Sequence, residues 1–259
     1  MGERIVINGH PTWVDDRGDR GAETVLLLHG GLSNSDTIIE ALAAPLLDRC
    51  RVVGFDRRGH GYTADLGGPF HYDDMASDTV GVLEQVVGGP AHLVGWSDGG
   101  IIGLLVAMRR PELLRRLVTI GANFHHDGMM DIDFGKNTAL GQEMFEEYAE
   151  RSPDGAQHFE DVFQRFLVMV ATEPTLTTTE LSAITVPTLV MAGDDDLIRL
   201  DHTCALYEAL PAGQLSILPG SSHAVPLERP ADVARIVGDF LAADVPPSTQ
   251  LPVRRDGRR

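Results

Sequence analysis

The chain has 259 residues, 43% of them hydrophobic, which suits one α/β domain with a sizeable core. Its formal charge is -17, from 38 acidic against 21 basic side chains. That balance argues against nucleic acid or an anionic membrane as a partner, because both need clustered lysine and arginine. Solubility is its plain explanation.

Along the chain, RIVINGHPTWVDD reads as a hairpin turning at Asn8–Gly9. TVLLLHGG is a buried strand running into a glycine loop, and SDTIIEALAAPLLDR has the spacing of a helix. RVVGFD as strand, DDMASDTVGVLEQVV as helix and AHLVGW as strand follow, then a helix from Ser97 to Arg109 and the strand RRLVTIGA. From Phe124 to Ile184 the rhythm changes. Two helical segments, near 138–151 and 155–171, carry Phe145, Tyr148, Phe159, Phe163 and Phe166. TVPTLVMAGD resumes the strand pattern, followed by the helix HTCALYEALP, the strand GQLSILPG and the helix RPADVARIVGDFLA. Apolar strands alternating with amphipathic helices indicate a parallel sheet covered on both faces. The middle segment is an insertion between two late strands, and long connections of this kind usually cover sites. The Pro-rich, then basic, tail is expected to be disordered.

The first residues contain no apolar signal core, and the longest apolar runs, such as IIGLLVAM, fall far short of the roughly 18 residues of a membrane span. Cys50 and Cys204 lie far apart with no CxxC or metal spacing, so both are expected to stay reduced in a cytoplasm.

The chemistry concentrates in GWSDGG at 95–100, a G-x-S-x-G between a predicted strand and a predicted helix. That context suits a nucleophile elbow, in which glycines permit a tight strained turn and lift the serine hydroxyl above the sheet. A serine needs a base, and the base needs an orienting acid. Of the ten histidines, only His223 follows the last strand in a loop returning to the carboxyl edge of the sheet. Asp194, Asp195 and Asp196 all follow the strand before it. GFDRRGHG at 54–61 lacks the spacing of a phosphate loop, and no Lys-Ser/Thr pair follows it. HHDGMMDID at 125–133 is rich in His and Asp but lacks a metal-site spacing, so no metal is expected there.

HGG at 29–31, GFDRRGHG, GWSDGG, GDDD at 193–196 and the late SSH together resemble the α/β-hydrolase superfamily, over residues 4 to 242. The resemblance implies the α/β-hydrolase fold: a mostly parallel eight-stranded sheet, helices on both faces and a helical cap inserted between two late strands. The core would comprise 1–123 and 186–243, the cap 124–185 and the tail 244–259. It implies Ser97 as nucleophile, His223 as base, and GFDRRGHG as a structural turn in which Asp56 and Arg57 brace neighbouring loops, with His60 structural as well. Asp196 matches the acid of the G-x-x-D pattern counted from Gly193, with Asp194 as second choice. Gly31 and Asp98 match the backbone donors of the oxyanion hole, each able to contribute about 3–4 kcal/mol to the transition state. Further substrate contacts are expected from Asp98, Leu32, Phe124, His125, Phe145, Phe163 and Ala224. The implied reaction is acyl transfer on a small-molecule substrate, without metal or organic cofactor, by a monomer or homodimer.

Serine at the elbow sets aside the haloalkane dehalogenases and epoxide hydrolases of this fold, which use aspartate. GWSDGGI with a strand ending IGAN looks most like the biphenyl-hydrolase-like group, whose members include the valacyclovir hydrolase. That implies small esters, including α-amino acid esters, with lactones and amides as related substrates. A meta-cleavage C–C hydrolase fits less well, because that group tends to carry Trp after the catalytic His and this chain has Ala224. Cofactor-free perhydrolase or haloperoxidase activity is an alternative, and a ligand receptor or biosynthetic cyclase or lyase is an alternative of another class. Asp98 has two readings. It is a helix-start acid leaning away from the oxyanion, which is favoured, or a pocket-facing acid that pairs with a cationic substrate.

Overall fold

Side chains alternate across the central strands. On β3 (Glu23–Leu28) and β4 (Cys50–Phe55), Leu26, Leu28, Val53 and Phe55 enter one apolar cluster, while Val25, Leu27 and Val52 enter another. Both faces are therefore buried, which is why these strands are continuously apolar. The computed structural model describes residues 2–132, 135, 138–244, 247 and 249–251. The expected tail thus falls largely outside the described residues.

The sheet has eight strands, with β1 (Glu3–Ile7), β2 (His10–Arg17), β5 (Ala91–Trp96), β6 (Leu114–Ile120), β7 (Thr188–Asp195) and β8 (Gly213–Ser222) completing it. Their spatial order is β1-β2-β4-β3-β5-β6-β7-β8. β1 and β2 form the expected hairpin, with Asn8 and Gly9 both at positive φ, and β2 pairs antiparallel with β4. Every other pairing is parallel.

One face carries α1 (Ser35–Leu46) and α9 (Pro230–Ala242), and the other carries α2 (Tyr72–Val82), α3 (Asp98–Arg109) and α7 (Leu200–Ala209). α2 runs on through a π turn at Leu83–Val87 and ends at Gly88 in the left-handed region. Between β6 and β7 lie α4 (Ala139–Arg151), α5 (Phe159–Thr172) and the short α6 (Thr178–Leu181); α8 (Val225–Glu228) follows β8. Among the described residues no helix is long and apolar enough to cross a membrane.

The strand order fixes where a ligand can sit. From β3 the chain crosses to β4 on one side, and from β4 it returns to β5 on the other. The loops at the carboxyl ends of β3 and β5 therefore diverge and leave a crevice, the position at which open α/β sheets bind ligands. HGG closes β3 and GWSDGG closes β5.

Candidate active site

Ser97 stands between β5 and α3 with φ 53° and ψ -119°, a conformation costly for a residue with a side chain. The turn holds because its neighbours lack side chains. A Cβ on Gly95 would lie 2.1 Å from the carbonyl oxygen of Gly99, and one on Gly99 would lie 2.4 Å from that of Leu28. The Ser97 N–H donates to the Ile120 carbonyl at 2.8 Å, which ties the elbow to β6.

His223 comes from the loop after β8. Its Nε2 lies 2.9 Å from Ser97 Oγ, and its Nδ1 lies 2.8 Å from Asp196 Oδ1. An ionised carboxylate only accepts, so Nδ1 carries the proton and Nε2 is free to accept from the serine. Asp196 Oδ1 also accepts from the Ile198 N–H at 3.0 Å, and only 2% of the Asp196 side chain is exposed. Asp194 goes elsewhere, accepting from the Ser221 N–H at 3.2 Å. The histidine loop is pinned twice: Trp96 Nε1 donates to the His223 carbonyl at 2.9 Å, and Ser222 donates from N and Oγ to Glu228, both at 2.7 Å.

Asp98 is the first residue of α3, where a backbone N–H has no partner within the helix. Its side chain is 5% exposed. Tyr72 Oη donates to Oδ1 at 2.7 Å, and Arg57 Nη2 stands 3.7 Å from Oδ2. Burial pushes the Asp98 carboxyl up, against the opposing pull of Arg57 and Tyr72, and burial followed by the Asp98 charge pushes the Tyr72 phenol well up. Neither reading of Asp98 describes this fully. The side chain is turned inward to two buried partners, yet it also borders the cavity above Ser97. His29 is held well below the usual histidine range by burial and then by Arg57. Its Nε2 accepts the Arg57 N–H at 3.3 Å, and its Nδ1 donates to the Gly30 carbonyl at 2.7 Å.

A cavity of about 680 Å³ opens over this line of residues. Gly30, Gly31, Leu32, Ser97, Asp98, His223 and Ala224 form its floor, while α4 contributes Leu140, Glu143, Met144 and Glu147, and α5 contributes Phe166 and Val170. Asp131, Glu173 and Asp195 add further carboxylates, and the described lining contains no lysine or arginine. Of the expected substrate contacts, Asp98, Leu32 and Ala224 border the cavity.

Phe124, His125, Phe145 and Phe163 do not, and each has another partner. Phe124 stacks on His202 at 3.9 Å, and His125 stacks on His126 at 4.4 Å. Phe145 is 42% exposed and meets Phe159 edge-on, while Phe163 stacks on the same ring at 5.6 Å. Phe159 and Phe163 are buried in the insertion's own core, and Phe166, a turn beyond Phe163, reaches the cavity instead. His60 is buried between His29 and Phe70, as a structural residue would be. His125, His126 and Asp127 bring potential ligand atoms within 4.8 Å of one another. Tyr72 and Glu147 border the cavity from elements with no catalytic motif, whereas Trp96 comes from the elbow motif itself and Phe166 from the aromatics of the insertion.

The profile of the Alpha/beta hydrolase family matches residues 25–236. The chain belongs to this family. Among its relatives, serine hydrolase BPHL of Mus musculus is 26% identical, across 92% of this chain and 85% of the relative. RutD of Variovorax paradoxus (strain S110), which bears the name of a carbamate hydrolase, is 30% identical across 90% of this chain and 96% of the relative. The solved meta-cleavage product hydrolase CumD of Pseudomonas fluorescens IP01 superposes with a TM-score of 0.78 at 20% identity, covering 93% of this chain and 97% of that one. At that identity the superposition shows the shared α/β-hydrolase fold.

Proposed function

We propose that this α/β hydrolase is a serine esterase that cleaves small esters through an acyl-enzyme on Ser97. The observation that carries the reading is the unbroken hydrogen-bonded line Ser97–His223–Asp196 on the floor of the cavity. His223 Nε2 takes the hydroxyl proton as Ser97 Oγ bonds to the ester carbonyl carbon. Asp196 stays ionised and steadies the imidazolium. The carbonyl oxygen, now an oxyanion, is received by the N–H groups of Gly31 and Asp98. His223 passes its proton to the departing alkoxide as the C–O bond breaks, and then activates water to release the acid and restore Ser97.

The relatives' names agree on hydrolysis and differ in the bond cleaved. Ala224 after His223 weighs against a C–C substrate. Within esters, the carboxylates of the described lining favour a neutral or cationic acyl group over an anionic one, which suits α-amino acid esters. Asp98 already shares its charge with Arg57 and Tyr72, so an ammonium would join two existing partners.

The test is a paired panel of nitrophenyl esters, with and without an α-amino group, together with fluorophosphonate labelling. Wild type is expected to turn over and to label, and Ser97→Ala to lose about 10⁴-fold or more in kcat and all labelling. A wild type that neither labels nor turns over would instead support a receptor or cyclase. An advantage for amino esters that persists in Asp98→Asn would place the cation receptor elsewhere in the lining.

A further inference from the structure

Arg57 is 1% exposed and reaches beneath the site from the loop after β4. Its Nη1 donates to the His29 carbonyl at 2.6 Å and its Nη2 to the Gly30 carbonyl at 2.8 Å. The same Nη2 lies 3.7 Å from Asp98 Oδ2. One guanidinium therefore touches both structures that would supply oxyanion donors, the HGG loop and the first residue of α3.

In a trans peptide the carbonyl and the following N–H point in opposite directions. Fixing the Gly30 carbonyl toward the interior therefore turns the Gly31 N–H the other way, toward the cavity that Gly31 lines. The loop needs such an anchor, because Leu32, the next residue, sits at φ 53° without being glycine. On the other side, Asp98 is held by Tyr72 and faces Arg57 at its second oxygen. That oxygen would stand 2.8 Å from a Cβ on Gly31, so the two halves of the hole are in close contact. A lone carboxylate so near a developing oxyanion would repel it, and the Arg57 charge offsets that repulsion.

Resting on the serine-hydrolase reading, we infer that Arg57 is a positioning residue that aims the oxyanion donors of Gly31 and Asp98 and neutralises the carboxylate beside them. A mere structural brace would affect stability alone. The positioning role affects the transition state beyond any loss of stability.

The experiment compares wild type with Arg57→Lys, Arg57→Met and the double variant Arg57→Met/Asp98→Asn. Each is measured for melting temperature, kcat and KM on a nitrophenyl ester, rate of fluorophosphonate labelling, and affinity for a trifluoromethyl ketone, whose adduct with Ser97 carries an oxyanion. Arg57→Met strands the buried Asp98 and should lower the melting temperature. The double variant removes the stranded charge and should recover much of that loss. Its kcat should nevertheless stay about 10²–10³-fold below wild type, with KM within a few-fold and ketone affinity falling in parallel with kcat/KM. Arg57→Lys keeps the charge but cannot fork to two carbonyls, and should lose about tenfold in kcat.

Recovery of both melting temperature and kcat in the double variant would overturn the positioning role, as would wild-type kcat in Arg57→Lys if the double variant does not fold. A wild type that fails to label at Ser97 would overturn the hydrolase reading and this inference with it. Equal labelling of wild type and double variant would overturn the inference alone.

Discussion

The floor of the cavity and its roof are held in different ways. The floor is built on strand ends, and its members are half-buried and fixed by several short bonds: Ser97 by the elbow, Asp196 by Ile198 and His223, and His223 by Trp96. The roof, α4 and α5, leans on the core through side-chain pairs. Arg165 and His158 reach Asp65, Glu173 reaches His71, and Asn34 reaches Glu147. In the proposed mechanism a 1 Å error in the floor would disrupt proton transfer, whereas the same error in the roof would change which substrate fits. Substitutions on the two sides should therefore differ in kind, with floor variants losing kcat and roof variants shifting KM.

The largest contrast lies within the floor. Asp196→Asn leaves an amide beside His223 Nδ1 and favours the wrong tautomer, so kcat should fall about 10⁴-fold on a nitrophenyl ester. Asp194→Asn, two residues away and bonded to the Ser221 N–H, should stay within a few-fold in the same assay. Equal losses would break the assignment of the acid. Gly121→Ala comes next. Gly121 has φ 59°, and a Cβ there would stand 2.9 Å from His223 Nδ1. The backbone cost is about 1 kcal/mol, and the displaced imidazole should lose about 10²-fold in kcat with labelling slowed in step. Unchanged kcat would mean that the histidine loop tolerates more movement than its two anchors suggest.

How much of this was legible in the sequence depended on whether a contact is local. The alternation of strands and helices is written in continuous apolar runs and helical spacing, and all eight strands lie where those runs fall. The elbow is equally local, since its glycines and serine are neighbours in the chain. Distant partners leave no such mark. Asp98 meets Arg57 and Tyr72, 41 and 26 residues upstream, and nothing near GWSDGG signals either. Asp194 and Asp196 could be ranked only by resemblance, because the β7–β8 pairing shifts register between Gly193 and Asp195 and strand alternation no longer says which carboxylate turns inward. The roof aromatics show the limit of periodicity. The period identifies a buried stripe on α5, but not that Phe163 faces Phe159 while Phe166 faces the cavity.

Stability should respond to pH mainly through the buried imidazoles behind the floor. Burial, with Arg57 adding, holds His60 at about 3, and burial holds His202 at about 4. His29 is likewise well below its ordinary range. Between about pH 4 and 6.5 the unfolded chain binds protons that these folded residues refuse, so acidification below 6.5 destabilises the fold. Asp56 opposes this. Burial raises it to about 6, so the folded chain keeps a proton there that the unfolded chain has released, and acidification through 6 stabilises. His92 is lowered by burial as well, so four imidazoles oppose three raised carboxyls, Asp56, Asp98 and Glu147, and the melting temperature should fall from pH 7 to pH 5. In urea unfolding near pH 5, His60→Asn should flatten the slope by about one proton, roughly 1.4 kcal/mol per pH unit. An unchanged slope would mean that His60 titrates normally.

The smallest effect should come from the roof. Burial alone would raise the Asp65 carboxyl, but hydrogen bonds from Arg165 and His158 outweigh it and hold it at about 2. Its support is therefore present in full above about pH 4 and lost as pH falls toward 2. Asp65→Asn leaves Arg165 and His158 facing a neutral amide, which should cost about 1–3 kcal/mol of tertiary stability. Because Asp65 sits on the core side of the tie and α5 carries Phe166 into the cavity, the same change should raise KM a few-fold for bulky esters and less for acetyl esters. It should leave kcat and the rate of fluorophosphonate labelling at Ser97 close to wild type. A loss of kcat equal to the rise in KM would show that the roof also shapes the transition state, and the division between rigid floor and adjustable roof would have to be abandoned.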